Sequence, residues 1–141
     1  MADEAALAEL FAHARIATLA TIKRDGRPQL SNITYVFDPA RRTFDISITA
    51  DRAKTANIRR DPRVSLHVDA QKGWSYAVAE GRGELSATAA DPDDATVDAL
   101  VAYYRALAGE HDDWAEYRAA MVAERRLVLR VHVDRFYGLV R

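Results

Sequence analysis

No cysteine occurs among the 141 residues, which excludes a disulfide framework, a thiolate nucleophile and a cysteine-ligated metal centre. A charge surplus is missing too: 20 basic side chains meet 21 acidic ones, for a formal net charge of -1. A non-specific nucleic-acid binder needs a basic surplus, so that class is disfavoured, and any electrostatic function must come from local clustering. No stretch reaches the roughly 20 apolar residues of a membrane span, and the start, Met1-Ala2-Asp3-Glu4, is acidic where a secretory signal is basic. The expectation is a soluble, cytoplasmic protein with neither a nucleic-acid nor a membrane partner. No repeat, low-complexity tract or linker divides the chain, so 1–141 reads as one domain, and its 49% hydrophobic content suffices for a sizeable core.

Several catalytic signatures are also absent. There is no Gly-x-Ser-x-Gly and no Walker-type loop, and Gly81-Arg82-Gly83 does not extend to a dinucleotide fingerprint. His13, His67, His111 and His132 are scattered without ligand spacing, so no metal site is read.

What is present is a run of strands with a few helices between them. Asp3 can cap a helix over Glu4 to His13, with Ala6, Leu7, Leu10 and Phe11 on one face. Arg15 to Ile22 and Pro28 to Phe37 read as two strands joined by an Asp25-Gly26 turn. Thr43 to Thr49 alternates Phe44, Ile46 and Ile48 with polar residues, as a strand with one buried face does. A short helix between Asp51 and Arg60 stops at Asp61-Pro62. Arg63 to Asp69 alternates again, and Trp74 to Ala87 is a longer strand, where Gly81 and Gly83 suggest a bulge or a close approach. Helices follow from about Ala95 to Ala108 and from Asp112-Asp113 to about Glu124, then strands Arg126 to Val133 and Phe136 to Val140. The pattern is mainly β with inserted α, and the expected architecture is a six-stranded antiparallel barrel rather than alternating βαβ units.

Three segments carry candidate chemistry. Arg52 and Lys54 stand at a helix start, where free amides already concentrate positive charge, so they oppose the macrodipole unless something negative binds there. A phosphate would engage the amides, the Arg fork, the Lys ammonium and the hydroxyls of Thr49 and Thr55. A solvated helix whose cations pair with Asp51 or Asp61 accounts for the same residues. On the strand after the first hairpin, Gln29, Ser31 and Asn32 crowd amide and hydroxyl groups that suit a polar heteroaromatic edge, or that simply face water. Trp74 and Tyr76 are two apart on one face of a predicted strand, where they could stack on a planar ligand or seal a subunit interface, with plain core packing the commoner case for such residues.

Taken in order, Ala20-Thr21-Ile22-Lys23-Arg24-Asp25-Gly26-Arg27-Pro28-Gln29-Leu30-Ser31-Asn32, then Arg52-Ala53-Lys54-Thr55-Ala56-Asn57-Ile58-Arg59-Arg60-Asp61-Pro62-Arg63, then Gly73-Trp74-Ser75-Tyr76-Ala77-Val78-Ala79-Glu80-Gly81 resemble the pyridoxamine 5'-phosphate oxidase-like proteins. Within that superfamily the chain is similar to the actinobacterial F420-dependent flavin/deazaflavin oxidoreductases of group B. The resemblance implies an FMN-binding-like split β-barrel, a homodimer with cofactor at the subunit interface, and hydride transfer between the deazaflavin coenzyme F420 and an unsaturated small organic substrate. It further implies that Lys54, with Arg52, Thr55 and Asn57, receives the cofactor phosphate. Gln29, Ser31 and Asn32, with Ser47 and Ile48, would lie along the ring system, and Trp74 and Tyr76 would reach the site from the other subunit. Arg59, Arg60 and Lys23 are candidates for the carboxylate-rich tail of F420. FMN also presents a phosphate to such a site, so an FMN-dependent oxidase-like protein is the alternative; a non-catalytic flavin, deazaflavin or haem binder is a third.

Overall fold

A computed structural model describes residues 3–141. The strands β1 (Ile16–Ile22), β2 (Pro28–Thr34), β3 (Val36–Asp38), β4 (Thr43–Thr49), β5 (Arg63–Ala70), β6 (Ser75–Leu85) and β7 (Arg126–Leu139) form one antiparallel sheet in the order β2-β1-β5-β6-β7-β4-β3. Its two edge strands, β2 and β3, are separated in the chain by Tyr35 alone. A sheet whose opposite edges are joined by one residue has to curl, and the result is a half-barrel with a seam between β2 and the β3–β4 hairpin.

That architecture corrects the expected count of six strands to seven. The segment from Pro28 to Phe37 breaks at Tyr35, whose ring turns into the core while its hydroxyl donates to the Phe11 carbonyl at 2.6 Å and the Ala14 carbonyl at 3.0 Å. Conversely, the two expected terminal strands run on as β7. Glu80 pairs with Arg135 and Gly81 with Val133, so Asp134 is one extra residue opposite a continuous β6. The bulge suggested at Gly81 is therefore present, and its physical reason is close approach: a Cβ at Gly81 would collide with the His132 carbonyl oxygen of β7.

The barrel is filled from one end by α1 (Glu4–His13), which Asp3 caps by accepting from the Ala6 amide at 2.8 Å. Its Leu7 and Phe11 are buried among Leu19, Phe44, Ile46, Leu66, Leu129 and Phe136. Phe11, Tyr35, Phe37 and Phe44 pack ring against ring, with centroids as close as 4.5 Å for Phe37 and Phe44. The period-two alternation of β4, β5 and β7 explains this core: Phe44, Ile46 and Ile48 point inward with Val64, Leu66, Val68, Leu127, Leu129 and Val131.

The outer face of β7 is covered by α3 (Ala95–Ala108) and α4 (Trp114–Ala123), which bury Val97, Leu100, Val101, Tyr117 and Met121 against Val128. Asp94 caps α3 by accepting from Val97 and Asp113 caps α4 by accepting from Glu116, while Gly109 takes a positive φ at the end of α3. The remaining helix, α2 (Ala53–Arg60), leaves the end of β4 and crosses the barrel mouth toward β1. No helix among the described residues is long and apolar enough to cross a membrane.

Candidate functional site

The site begins where β4 ends. Thr49 is the last residue of β4, Arg52 takes an extended backbone at the N-cap of α2, and no side chain caps that helix. Its first turn holds no acid, and neither Arg52 nor Lys54 has a carboxylate partner within 4.0 Å among the described residues. The expected pairing with Asp51 or Asp61 is absent there: Asp61 instead binds Arg63, which donates from Nη2 at 2.7 Å and from its backbone amide at 3.2 Å. Burial holds the Lys54 ammonium below its ordinary pKa, and the charges of Arg52 and Arg126 lower it further.

Arg126 is a candidate site residue that sequence reasoning missed. It opens β7 and is set opposite Thr49 by the pairing of β4 with β7. Its Nη1 donates to Ser47 Oγ at 3.4 Å, while Nε and Nη2 sit 3.0 Å from Glu124 Oε1. A single Arg at a strand start carries no sequence signal, since only sheet register brings it beside Lys54.

Three cations and an uncapped helix start thus converge at the seam. Thr49 ends β4 three residues before the Arg52 N-cap, and its Oγ1 is buried and without a hydrogen-bond partner among the described residues. A buried hydroxyl with no partner is costly, and a phosphate oxygen at this position would relieve it. The donor set of free amides, Arg52, Lys54 and the Thr49 hydroxyl fits a phosphate group.

The other expected site residues divide between two roles. Ser31 and Gln29 share the inward face of β2; Lys54 Nζ donates to Ser31 Oγ at 3.5 Å, and Asn57 Nδ2 donates to Gln29 Oε1 at 2.6 Å and to Thr21 Oγ1 at 3.1 Å. Thr55 is fully buried and its hydroxyl donates to the Thr49 carbonyl at 2.6 Å. Thr55 and Asn57 therefore serve to seat α2, with their polar groups consumed inside the protein. Asn32 does not join Gln29 and Ser31: alternation turns it to the outer face of β2 with Leu30 and Thr34. Ile48 is a core side chain, buried inward from β4, so only its backbone can line a ligand. Arg60 is occupied with the carbonyl of Ile22 and Asn57 Oδ1, and Lys23 stands 4.0 Å from Asp25.

Trp74 and Tyr76 do not share a strand face. Trp74 ends a 3-10 turn over Gln71–Gly73 in a helical backbone conformation, one residue before β6 begins. Its indole is 67% exposed, and Tyr76 stacks on His67 of β5 with centroids 6.0 Å apart. Ile16 at 61% and Leu30 at 65% are, like Trp74, large apolar side chains left exposed.

Beyond Ser47 and Arg126 a cavity of about 400 Å³ opens between the outer face of β4 and the pair α3–α4, lined also by Tyr103, Tyr104, His111 and Tyr117. The Tyr103 hydroxyl donates to the Thr34 carbonyl at 3.2 Å and lies 2.9 Å from the Thr34 hydroxyl. Burial raises the Tyr103 pKa, so the phenol stays protonated at neutral pH.

A profile of the pyridoxamine 5'-phosphate oxidase family matches residues 3–139. Among solved structures, the protein Rv2991 from Mycobacterium tuberculosis superposes with a TM-score of 0.74 at 23% identity, over 98% of this chain and 84% of that one. An F420 reductase superposes with a TM-score of 0.67 at 21% identity, over 92% and 94% of the two chains. An FAD-binding protein from Mesorhizobium loti reaches a TM-score of 0.68 at 19% identity, over 97% and 92%. At such identities these likenesses establish the fold, and their differing ligands leave the choice of cofactor to chemistry.

Proposed function

The chain belongs to the pyridoxamine 5'-phosphate oxidase family, and on that premise we propose that it is an oxidoreductase using the deazaflavin F420, held as a homodimer with the cofactor at the subunit interface. The observation that carries this reading is the convergence of Arg52, Lys54 and the partnerless Thr49 hydroxyl at the uncapped start of α2. The structural relatives include both an F420 reductase and an FAD-binding protein, so the preference for F420 over FMN rests on the resemblance of the ordered motifs to the F420-dependent group.

In this reading the bound deazaflavin supplies hydride transfer to an unsaturated acceptor. The chain supplies binding and orientation. Arg52, Lys54 and the first amides of α2 hold the phosphate; Ser31 positions the Lys54 ammonium by accepting from it. Ser47 and Asn32, on the outer faces of β4 and β2, are the polar groups for the ring system. The exposed apolar set Ile16, Leu30, Trp74, Tyr137 and Leu139 is the surface for a second copy, which would exclude water from that side. No nucleophile or metal is required of the protein.

Fluorescence titration of the purified apo-protein with F420 and separately with FMN, at fixed salt because the contacts are ionic, tests the reading. Tighter binding of F420 is the expected result. Preference for FMN would transfer the site to a flavin enzyme of the same family, and binding of neither would refute the phosphate site.

A further inference from the structure

We infer that the cavity between α3, α4 and the outer face of β4 is a binding site for a planar aromatic carboxylate. That it is the acceptor site of the enzyme rests on the oxidoreductase reading above; that it binds such a ligand rests on its own walls. Its volume of about 400 Å³ falls in the range of small-molecule sites, roughly 300–1,000 Å³.

The two ends of the cavity differ in chemistry. On the helix side stand Tyr104, His111 and Tyr117, each pair with ring centroids between 5.0 and 5.5 Å apart. A closed aromatic cluster would be ordinary packing, but Tyr104 and His111 remain partly exposed and form the cavity wall. On the sheet side stand the Arg126 guanidinium and the hydroxyls of Ser47 and Tyr103. Arg126 spends Nε and Nη2 on Glu124 and leaves Nη1 with one long contact to Ser47, so that edge is open to a second carboxylate. The acid lining the cavity, Glu116, is exposed.

His111, which lines the cavity, has one ring nitrogen already engaged. The Asp113 amide donates to His111 Nδ1 at 2.8 Å, which places the proton of the neutral ring on Nε2. A planar ring laid on the tyrosines with its carboxylate at Arg126 satisfies the aromatic wall and the cationic end together; an aliphatic acid satisfies only the second and a neutral arene only the first.

Calorimetric titration of the apo-protein with trans-cinnamate, trans-cinnamamide and hexanoate tests this. Cinnamate should bind, with the amide and hexanoate weaker by about tenfold or more. Arg126→Gln should remove the preference for cinnamate over cinnamamide, and Tyr104→Leu the preference for cinnamate over hexanoate, each in a protein whose circular dichroism shows an intact fold. Location is read by tryptophan fluorescence in a Trp74→Phe chain, in which Trp114, packed on Tyr104 at 5.7 Å, is the one remaining indole. A cinnamate-induced change in that signal is expected. Equal binding of all three ligands, or no change on Arg126→Gln, would overturn the inference. F420 binding without cinnamate binding would sink it and leave the proposed function standing, whereas the reverse would retain the site and refute the F420 reading.

Discussion

The Asn57 side-chain amide of α2 donates to Gln29 Oε1 on β2 at 2.6 Å, and from the same nitrogen to Thr21 Oγ1 on β1 at 3.1 Å. This one side chain ties the helix that presents the anion site to two strands on the far side of the seam. Asn57→Ala leaves the buried Thr21 hydroxyl and the Gln29 carboxamide without a donor, at a cost of about 1–3 kcal/mol. Urea unfolding should show that loss, with cofactor affinity falling less than in a Lys54 variant. An unchanged midpoint would show that the tether is not needed.

Lys54→Ala should weaken cofactor binding by about 1.5–3 kcal/mol, the range of a charge-assisted hydrogen bond. Its pH dependence follows from the lowered pKa. The folded-state value lies below the ordinary 10.5, so the cost of holding the ammonium is fully present below the folded pKa and is relieved as pH rises through it. Phosphate binding runs the other way, since only the protonated amine attracts the anion. Affinity measured across alkaline pH should therefore begin to fall before 10.5 in the parent chain, and that alkaline loss should be reduced in Lys54→Ala. A curve of the same shape in both would remove Lys54 from the site.

Asp61 accepts from the Arg63 side chain and amide, and these contacts bring its pKa from 3.8 to about 2. Its contribution to stability is fully present above 3.8 and is lost as pH falls through about 2. Thermal melts between those limits should be less pH-dependent in Asp61→Asn than in the parent protein.

Gly81→Ala places a methyl group against the His132 carbonyl at the bulge between β6 and β7. Backbone on an internal strand cannot yield as a side-chain tip can, so destabilisation of about 1–3 kcal/mol is expected. Chemical denaturation measures it directly, and a neutral effect would mean that the bulge relaxes.

Trp74→Ala should raise the dimer dissociation constant by about 10- to 30-fold if the exposed indole anchors a second copy. Sedimentation across a concentration series reads this. A Trp74→Ala protein that dimerises as tightly as its parent would place the interface elsewhere.

Much of the architecture was legible along the chain. Asp3, Asp94 and Asp113 announce three helix starts, and the alternation in Thr43 to Thr49 and Arg63 to Asp69 assigns their inward faces. These features are local, decided by side-chain capping and by the period of two. The break at Tyr35 was not legible, because it depends on a hydroxyl reaching the carbonyls of Phe11 and Ala14 in α1.

The candidate site divides along the same line. Arg52 and Lys54 stand out because two cations at a helix start conflict with the local macrodipole. Whether Asn57 and Thr55 meet a ligand or the protein's own groups is settled only by packing, which turns Asn57 to the Thr21 and Gln29 side chains and Thr55 to the Thr49 carbonyl. Arg126 joins Lys54, and Tyr103 reaches Thr34, through sheet register and helix docking between residues far apart in the chain. Residue order dictated the elements and the charge at the start of α2, since those rest on neighbours in the chain. The seam, the cavity and the third cation were decided by the curl of the sheet, because closing opposite edges is a relation among all its strands and is written in no single one.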